Sequence, residues 1–102
     1  MSKAEKSLTV KYLTDLPTDK PVVTDAMLKE HGTPESLWLV VHDHVFDLTE
    51  FSSEHPGGWE VIEEHAGKDA TLAYEEGQHA IQSIRELKQY YVGEYEGKKM
   101  SL

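Results

Sequence analysis

The sequence predicts a small α+β domain, and two contrasting patterns carry that prediction. The run SLWLVV at residues 36–41 has the β-branched and aromatic content of a strand, and VFDL and YVGEY are further runs of this kind. Between residues 49 and 90, short segments with apolar residues at helical spacing alternate with glycines. A small sheet beside several short helices is the arrangement that these patterns favour together.

The first part of the chain is expected to supply most of the sheet. Residues 1–19 are polar apart from the patch LTVKYL, which is expected to form a strand within an appended arm. PVV at residues 21–23 indicates a short strand, and Thr24 is expected to cap a helix that Gly32 ends. The tight HDH connection between SLWLVV and VFDL predicts a β-hairpin.

The second part is expected to be mainly helical. Thr49 is expected to cap the short helix EFSSEH, which the turn PGG follows, and WEVIEEHAG is expected to be helical up to Gly67. Asp69 is expected to cap a helix that Gly77 ends, HAIQSIRELKQY is the longest amphipathic segment, and YVGEY returns to the sheet. Because helices under ~12–15 residues are marginal alone, we expect something among them to hold them in place.

The composition excludes several classes of function. The chain has 102 residues, the size of one domain, and it lacks cysteine, which excludes disulfides, thiolate ligands and cysteine nucleophiles. Its net charge of −9 argues against nucleic-acid binding and favours solubility and a basic protein partner. No run approaches the ~18 apolar residues of a membrane span, and the start lacks the apolar middle of a signal peptide. We therefore expect a soluble cytoplasmic protein, although a domain cut from a membrane anchor would have the same sequence.

Six histidines are the candidate ligands in this cysteine-free chain. His42 and His44 lie two apart in the predicted hairpin, but two ligands without a third make a weak metal site. His31 stands where a helix is expected to end, which suits a cation because of the helix dipole, and His65 is expected on a helix face. A nonhaem metal or structural domain that uses His42 and His44 is kept as an alternative.

His55 and His79 differ from the other histidines because each stands where a short predicted helix meets a glycine turn. Two neutral imidazoles opposed across an apolar slot are what a six-coordinate haem iron requires. The turn Pro56-Gly57-Gly58 would fix the backbone at His55 and let the main chain approach a porphyrin closely. The other interpretation is a turn beside a packing histidine. Large apolar residues lie between and around the two histidines in the sequence: Phe51, Ile62, Tyr74 and Leu87.

The sequence resembles the cytochrome b5 family from about Pro21 to Tyr95. HPGG at residues 55–58 is the hallmark of that family, and LWLVVHDHVFDLTEF, AGKDAT, REL and VGEY surround it in the same order. The resemblance implies a cytochrome b5-like fold, in which a small mixed β-sheet lies beside short helix pairs that form a haem crevice. It also implies one noncovalent haem b, whose iron has His55 and His79, 24 positions apart, as axial ligands. The pocket-wall positions of the family correspond to Phe51, Ile62, Tyr74 and Leu87.

The match departs from the family's usual pattern near both predicted ligands, and mostly near the second. Gln78 stands between Gly77 and His79, whereas the family usually has glycine directly before the ligand. Ala80 follows where many members have a serine that touches a haem propionate, and Trp59 stands where an acid often follows HPGG. These differences bear on the haem geometry at the second ligand.

The resemblance implies an electron carrier that shuttles single electrons between redox proteins, and not an enzyme. Iron with two histidine ligands has no open position, so it changes oxidation state without binding a substrate. The alternative is a haem- or steroid-binding regulatory protein of the same fold, although such relatives tend to lack the paired histidines. The expected organisation is an N-terminal extension at 1–19, the haem-binding domain at 20–96 and a short C-terminal tail at 97–102.

Acidic residues cluster in the sequence around the two predicted ligands, where we expect them to form a rim at the exposed haem edge. They are Glu54, Glu60, Glu64, Glu75 and Glu76. Such a rim would steer a basic redox partner, such as a reductase or a cytochrome, towards Glu60, Glu64 and Glu76. The alternative is that these acids serve solubility alone. The protein itself is expected to be a monomer.

Overall fold

The computed structural model describes residues 8–54, 59–77 and 81–96, and the structural statements below refer to these ranges. Its strands form a mixed five-stranded sheet in the order β1-β5-β4-β3-β2. The strands are β1 (Val22–Val23), β2 (Gly32–Thr33), β3 (Ser36–Val41), β4 (His44–Asp47) and β5 (Tyr91–Tyr95). β1 and β5 are parallel, and the other neighbours are antiparallel. The predicted α+β class with a small mixed sheet is confirmed.

The helices are short throughout the described residues. They are α1 (Leu8–Tyr12), α2 (Asp25–Glu30), α3 (Thr49–Glu54), α4 (Trp59–Glu64), α5 (Thr71–Glu76) and α6 (Ile81–Leu87), which a 3₁₀ turn (Lys88–Tyr90) continues. None of them exceeds seven residues. Helices of this length are not stable alone in water, so their packing on the sheet and on one another must hold them.

The β3–β4 hairpin is confirmed, and its turn has a specific geometry. His42 and Asp43 both have positive φ, 51° and 68°, as the two central residues of a type I′ turn require. That turn matches the right-handed twist of the strands, and it brings Leu39 opposite Phe46 and Val40 opposite Val45.

The alternation of side chains along β3 separates two clusters of buried residues, one on each face of the sheet. Leu37, Leu39 and Val41 belong to the larger cluster, which includes Ile84 and Leu87 of α6. Val40, on the same strand but the other face, joins the smaller cluster. The smaller cluster consists of Val23, Leu28, Val40 and Val45. Helix α2 therefore covers one face, and the later helices cover the other.

Two glycines permit close approaches that a side chain would block. At Gly93, in β5, an added Cβ atom would lie 2.2 Å from the carbonyl oxygen of Pro21, so only glycine lets β5 lie beside the segment that leads into β1. Gly67, after α4, has φ +71° and donates its N–H to the carbonyl of Trp38 at 2.6 Å. The end of α4 is thereby fixed to β3.

Two local predictions need correction. The patch LTVKYL is helical and not a strand, since it contains α1. The residue at the N-cap of α5 is Ala70, and the predicted cap, Asp69, instead accepts the N–H of Thr71 at 2.8 Å. The loop that contains Asp69 is held to the sheet by the N–H of Ala70, which donates to the carbonyl of Val40 at 2.7 Å.

Candidate functional site

A cavity of about 320 Å³ lies between the sheet and the helices that follow it. Leu39 and Val41 of β3 line it from the sheet, and they are 4% and 0% exposed. Each of the four helices α3–α6 adds a large side chain. These side chains are Phe51, Ile62, Tyr74 and Leu87, in chain order. The four residues predicted as pocket walls therefore line one cavity.

The walls are mostly apolar, and packing contacts hold several of them in place. Leu87 is buried on α6, three residues after the fully buried Ile84, so one face of α6 packs on the core. The rings of Phe51 and Tyr90 pack against each other with centroids 5.6 Å apart. The volume and the lining are those of a site for an apolar ligand of appreciable size.

Tyr74 adds a phenol to this apolar lining. Burial raises its pKa to about 12, and the charge of the neighbouring Glu75 adds to the shift. The hydroxyl is therefore neutral over the physiological pH range, so the wall contributes no charge at this position.

Polar residues also line the cavity, and the sequence patterns did not single them out as lining residues. Ser83 and Glu86 of α6 are exposed and His65 is partly buried, so the cavity reaches solvent along α6. Two sequence signals could have pointed to lining residues. Ser83 lies one helical turn before Leu87 and so on the same face of α6, and the alternation along β3 places Leu39 and Val41 on one face of the sheet. These signals identify one face of an element, but not the cavity that the face lines.

The predicted ligands His55 and His79, and the turn Pro56-Gly57-Gly58, lie outside the described residues. Their neighbours in the chain are described. His55 is the next residue after α3, which contributes Phe51 to the cavity, and His79 falls between α5 and α6, which contribute Tyr74 and Leu87. The segments that carry both histidines therefore start from helices that line the cavity.

The other histidines bind neighbours of several kinds. His42 Nε2 forms a short hydrogen bond with Glu75 Oε2, and His44 Nδ1 lies 2.5 Å from Glu94 Oε2. His31 Nδ1 lies 2.6 Å from the hydroxyl of Ser36, and the His31 ring stacks on Trp38 with centroids 3.7 Å apart.

The alternative of a nonhaem metal site at His42 and His44 finds no support in this geometry. The two imidazoles bind different carboxylates, Glu75 and Glu94, on different elements. In the described parts of the chain, no group of three or more His, Cys, Asp or Glu side chains is placed to hold a metal ion.

The acidic residues predicted as a rim have different environments. Glu60, Glu64 and Glu76 are exposed on α4 and α5. Glu75 is only partly exposed because it pairs with His42, so it is less available to a partner than the sequence suggested. Glu54 ends α3, but its side chain lies outside the described residues.

Comparisons with known proteins identify the family. The model of the cytochrome b5-like haem/steroid-binding domain matches residues 24–96. Cytochrome b5 type B of Rattus norvegicus is 47% identical over 77 residues, 72% of this chain and 53% of that protein. Cytochrome b5 of Musca domestica is 42% identical over 76 residues, 74% of this chain and 57% of its own length.

Solved structures agree with the sequence comparison. Cytochrome b558 of Ectothiorhodospira vacuolata, a prokaryotic homologue of cytochrome b5, superposes with a TM-score of 0.67 at 30% identity, over 74% of this chain and 98% of its own. Cytochrome b5 of Ostreococcus tauri virus 2 superposes with a TM-score of 0.63 at 30% identity, over 72% of this chain and 95% of its own.

The chain belongs to the cytochrome b5-like haem/steroid-binding domain family. This membership confirms the predicted cytochrome b5-like fold, and of the two ligand types in the family's description, the cytochrome b5 relatives indicate haem. The chain spans about half the length of the curated relatives that it matches. None of the helices within 8–54, 59–77 and 81–96 is long and apolar enough to cross a membrane.

Proposed function

We propose that this domain binds one haem b noncovalently in the cavity and carries single electrons between redox proteins. The observation that carries the proposal is the convergence of Phe51, Ile62, Tyr74 and Leu87 on one apolar cavity. His55 and His79 are the proposed axial ligands, since each belongs to a segment that adjoins a cavity-lining helix.

The described residues fit a porphyrin in the polarity of the cavity that they line. The side chains from β3, α3 and α4 are apolar, as the hydrophobic faces of a macrocycle require. The polar lining residues Ser83 and Glu86 are exposed. An amphiphilic ligand with an apolar ring and charged side groups suits this combination, because its charged groups would remain in water.

Bound haem would supply a one-electron iron couple. The protein's part is to bind, orient and shield it: Leu39 and Val41 exclude water on the sheet side, and Phe51 and Tyr74 do so from the helices. Neutral Tyr74 adds no charge that would favour one oxidation state. With both axial positions filled by His55 and His79, no position remains for a substrate, so we propose a carrier and not an enzyme.

The proposed partner is a basic redox protein, such as a reductase or a cytochrome. The exposed acids Glu60, Glu64 and Glu76 lie on α4 and α5, two of the helices that line the cavity, which supports docking near the haem edge. A cytoplasmic location and a monomeric state remain predictions from the sequence.

Reconstitution with haem, followed by visible and electron paramagnetic resonance spectroscopy, tests the proposed function. We expect stoichiometric binding and a low-spin spectrum with two histidine ligands in both oxidation states, together with reversible one-electron reduction. A high-spin spectrum, or haem binding without reversible reduction, would instead favour the regulatory alternative. No haem binding would refute the proposal.

A further inference from the structure

The N-terminal residues 8–16 pack on the domain although they precede the family match, which begins at residue 24. Helix α1 contacts α6. Leu13, directly after α1, is 5% exposed and belongs to the same buried cluster as Ile84 and Leu87 of α6. Thr9, one turn earlier, is 3% exposed. This segment is therefore part of the packed structure and not a solvated arm.

The segment packs on the domain both through α1 and through the residues that follow it. The N–H of Leu13 donates to the carbonyl of Thr9, one helical turn earlier, at 2.8 Å, and Tyr12 and Leu16 also pack against the large cluster. The guanidinium carbon of Arg85 lies 5.8 Å from the centre of the Tyr12 ring, within the range of a cation–π interaction. Contacts of two kinds, apolar and cation–π, thus join the segment to α6.

Helix α6 lies between this segment and the cavity. Ile84 is fully buried in the cluster that includes Leu13, whereas Ser83, Glu86 and Leu87 line the cavity. With seven residues, α6 cannot persist through its own hydrogen bonds, so its position depends on what packs against it.

We infer that residues 8–16 form an N-terminal brace, which holds α6 against the haem cavity and slows haem loss. A noncovalent haem leaves when a wall opens, and moving α6 outward would expose Leu13 and separate Tyr12 from Arg85. The brace therefore lowers the population of the open form. The part of this inference that concerns haem loss rests on the proposed function. The effect of the brace on the position of α6 does not depend on haem.

The test compares two buried leucines in the full-length protein loaded with haem. Leu13→Ala removes the apolar contact of the brace, and Leu28→Ala removes a leucine that is 2% exposed in the small cluster on the other face of the sheet. Haem release is measured as transfer to excess apomyoglobin. We expect Leu13→Ala to speed release about tenfold, equivalent to ~1.4 kcal/mol, and Leu28→Ala to change it less than about threefold even where it lowers the unfolding temperature as much.

Leu8→Ala is the matched surface control, since Leu8 lies in the same N-terminal segment, on α1, and is 48% exposed. It should leave haem release unchanged. Equal acceleration by Leu13→Ala and Leu28→Ala would overturn the brace, because release would then follow overall stability. Haem release from the Leu13→Ala variant at the same rate as from the parent protein would overturn the brace as well.

A milder variant covers the case in which Leu13→Ala does not fold. Arg85→Gln removes the cation over Tyr12 at an exposed position and should speed release about twofold to threefold. Lys68→Gln, which removes an exposed cation after α4, is its control. Identical release rates in these two variants would contradict the cation–π part of the brace.

Hydrogen exchange on the apoprotein separates a failed brace from a failed function. In Leu13→Ala, the amides of α6 should lose about tenfold in protection while those of β3 and β4 keep theirs, and Leu28→Ala should not reproduce this pattern. This result would establish the brace even if the parent bound no haem. Unchanged protection of α6 would reject the brace whatever the haem spectrum shows.

Discussion

The two faces of the sheet are filled in different ways. On one face, Val23, Leu28, Val40 and Val45 are 0–2% exposed and pack into a closed cluster. On the other face, the buried core borders a cavity of about 320 Å³, and several of its walls are only partly buried. The closed half is complete without a ligand, whereas the cavity half gains its remaining contacts from one. Stability in this domain is thus divided between a self-sufficient half and a half coupled to the cofactor.

The largest expected effect is the loss of an axial ligand on the cavity side. His55→Ala or His79→Ala should abolish the low-spin spectrum or most haem affinity, because either change leaves iron with one imidazole. The measurement is the visible spectrum during haem titration. The control is His65→Ala, which removes the cavity-lining imidazole and should keep the low-spin spectrum. Low-spin haem in the His79 variant but not in the His65 variant would identify His65 as the ligand.

Removal of haem tests directly whether only one of the two halves depends on the cofactor. In the apoprotein, amides of α3–α6 should lose protection from hydrogen exchange by a factor that grows with haem affinity, since a ligand stabilises only the structure that binds it. Amides of β3 and β4 should change much less because cross-strand hydrogen bonds and closed packing hold them. An equal loss of protection in both regions would show that the domain behaves as one cooperative unit.

The next effect concerns the contact that joins the β3–β4 turn to α5. The N–H of His42 donates to Thr71 Oγ1 at 2.8 Å, and its ring binds Glu75 one helical turn further along α5. Glu75→Gln should lower the free energy of unfolding by about 1–2 kcal/mol, because a neutral amide replaces the charged partner of the His42 hydrogen bond at a partly buried site. It should also speed haem release, because α5 carries Tyr74.

Glu76→Gln is the control for this contact, since Glu76 is the exposed neighbour on α5. Chemical denaturation of both variants measures the difference. Equal stability of the two variants would mean that the His42–Glu75 contact does not hold α5.

A smaller effect is expected on partner association. Replacing Glu60, Glu64 and Glu76 by Gln should slow electron exchange with a basic partner several-fold at low salt, with little change in potential, because exposed charges act on encounter. The difference should shrink as salt shortens the Debye length from ~30 Å at 0.01 M to ~10 Å at 0.1 M. The charge-matched control replaces three exposed acids that lie outside the helices lining the cavity, Asp19, Glu30 and Glu35. Equal bimolecular rate constants for both triple variants would place the docking surface elsewhere.

The smallest expected effect concerns the ionisation of one tyrosine in each half, Tyr74 at the cavity and Tyr95 beside the closed cluster. The pKa of Tyr74 is raised mainly by burial, whereas the pKa of Tyr95 is raised mainly by its hydrogen bond to Asp25 at 2.8 Å. The pKa of Tyr74 in the folded protein is about 12 against an ordinary 10.0. The contribution of Tyr74 to the free energy of unfolding is therefore fully present below pH ~10 and is lost as pH rises through 12. Because Tyr74 is partly exposed, we expect this contribution to be about 1 kcal/mol or less.

Phenolate absorbance during alkaline titration measures both groups. Haem should raise the pKa of Tyr74 further and leave that of Tyr95 unchanged, because haem excludes water only from the cavity. Tyr74→Phe and Asp25→Asn assign the two transitions. A haem-dependent shift of Tyr95 would contradict the separation of the two halves.

The sheet, which both halves share, is the part that the sequence predicted best. SLWLVV, VFDL and YVGEY are strands within a residue of the expected bounds, because β-branched residues and a two-residue turn specify them locally. LTVKYL was predicted wrongly as a strand, since it contains the helix α1. Its packing on α6 is a tertiary contact that local propensity does not report.

The cavity was predicted in part. Phe51, Ile62, Tyr74 and Leu87 were named from their size and from the family resemblance, and they line one cavity. His65, Ser83 and Glu86 were not identified as lining residues, because their place depends on how α4 and α6 are rotated against the sheet. No single segment encodes that rotation.

The position of β5 has a consequence for the order of events during synthesis. Among the described strands β5 is the last to leave the ribosome, yet it lies between β1 and β4 and joins the beginning of the sheet to its hairpin. The sheet therefore cannot close until residue 95 has emerged, although the helices of residues 49–87 are already available. Haem capture before residue 95 has emerged would meet a cavity beside an incomplete sheet, so loading is expected to follow synthesis of the whole domain.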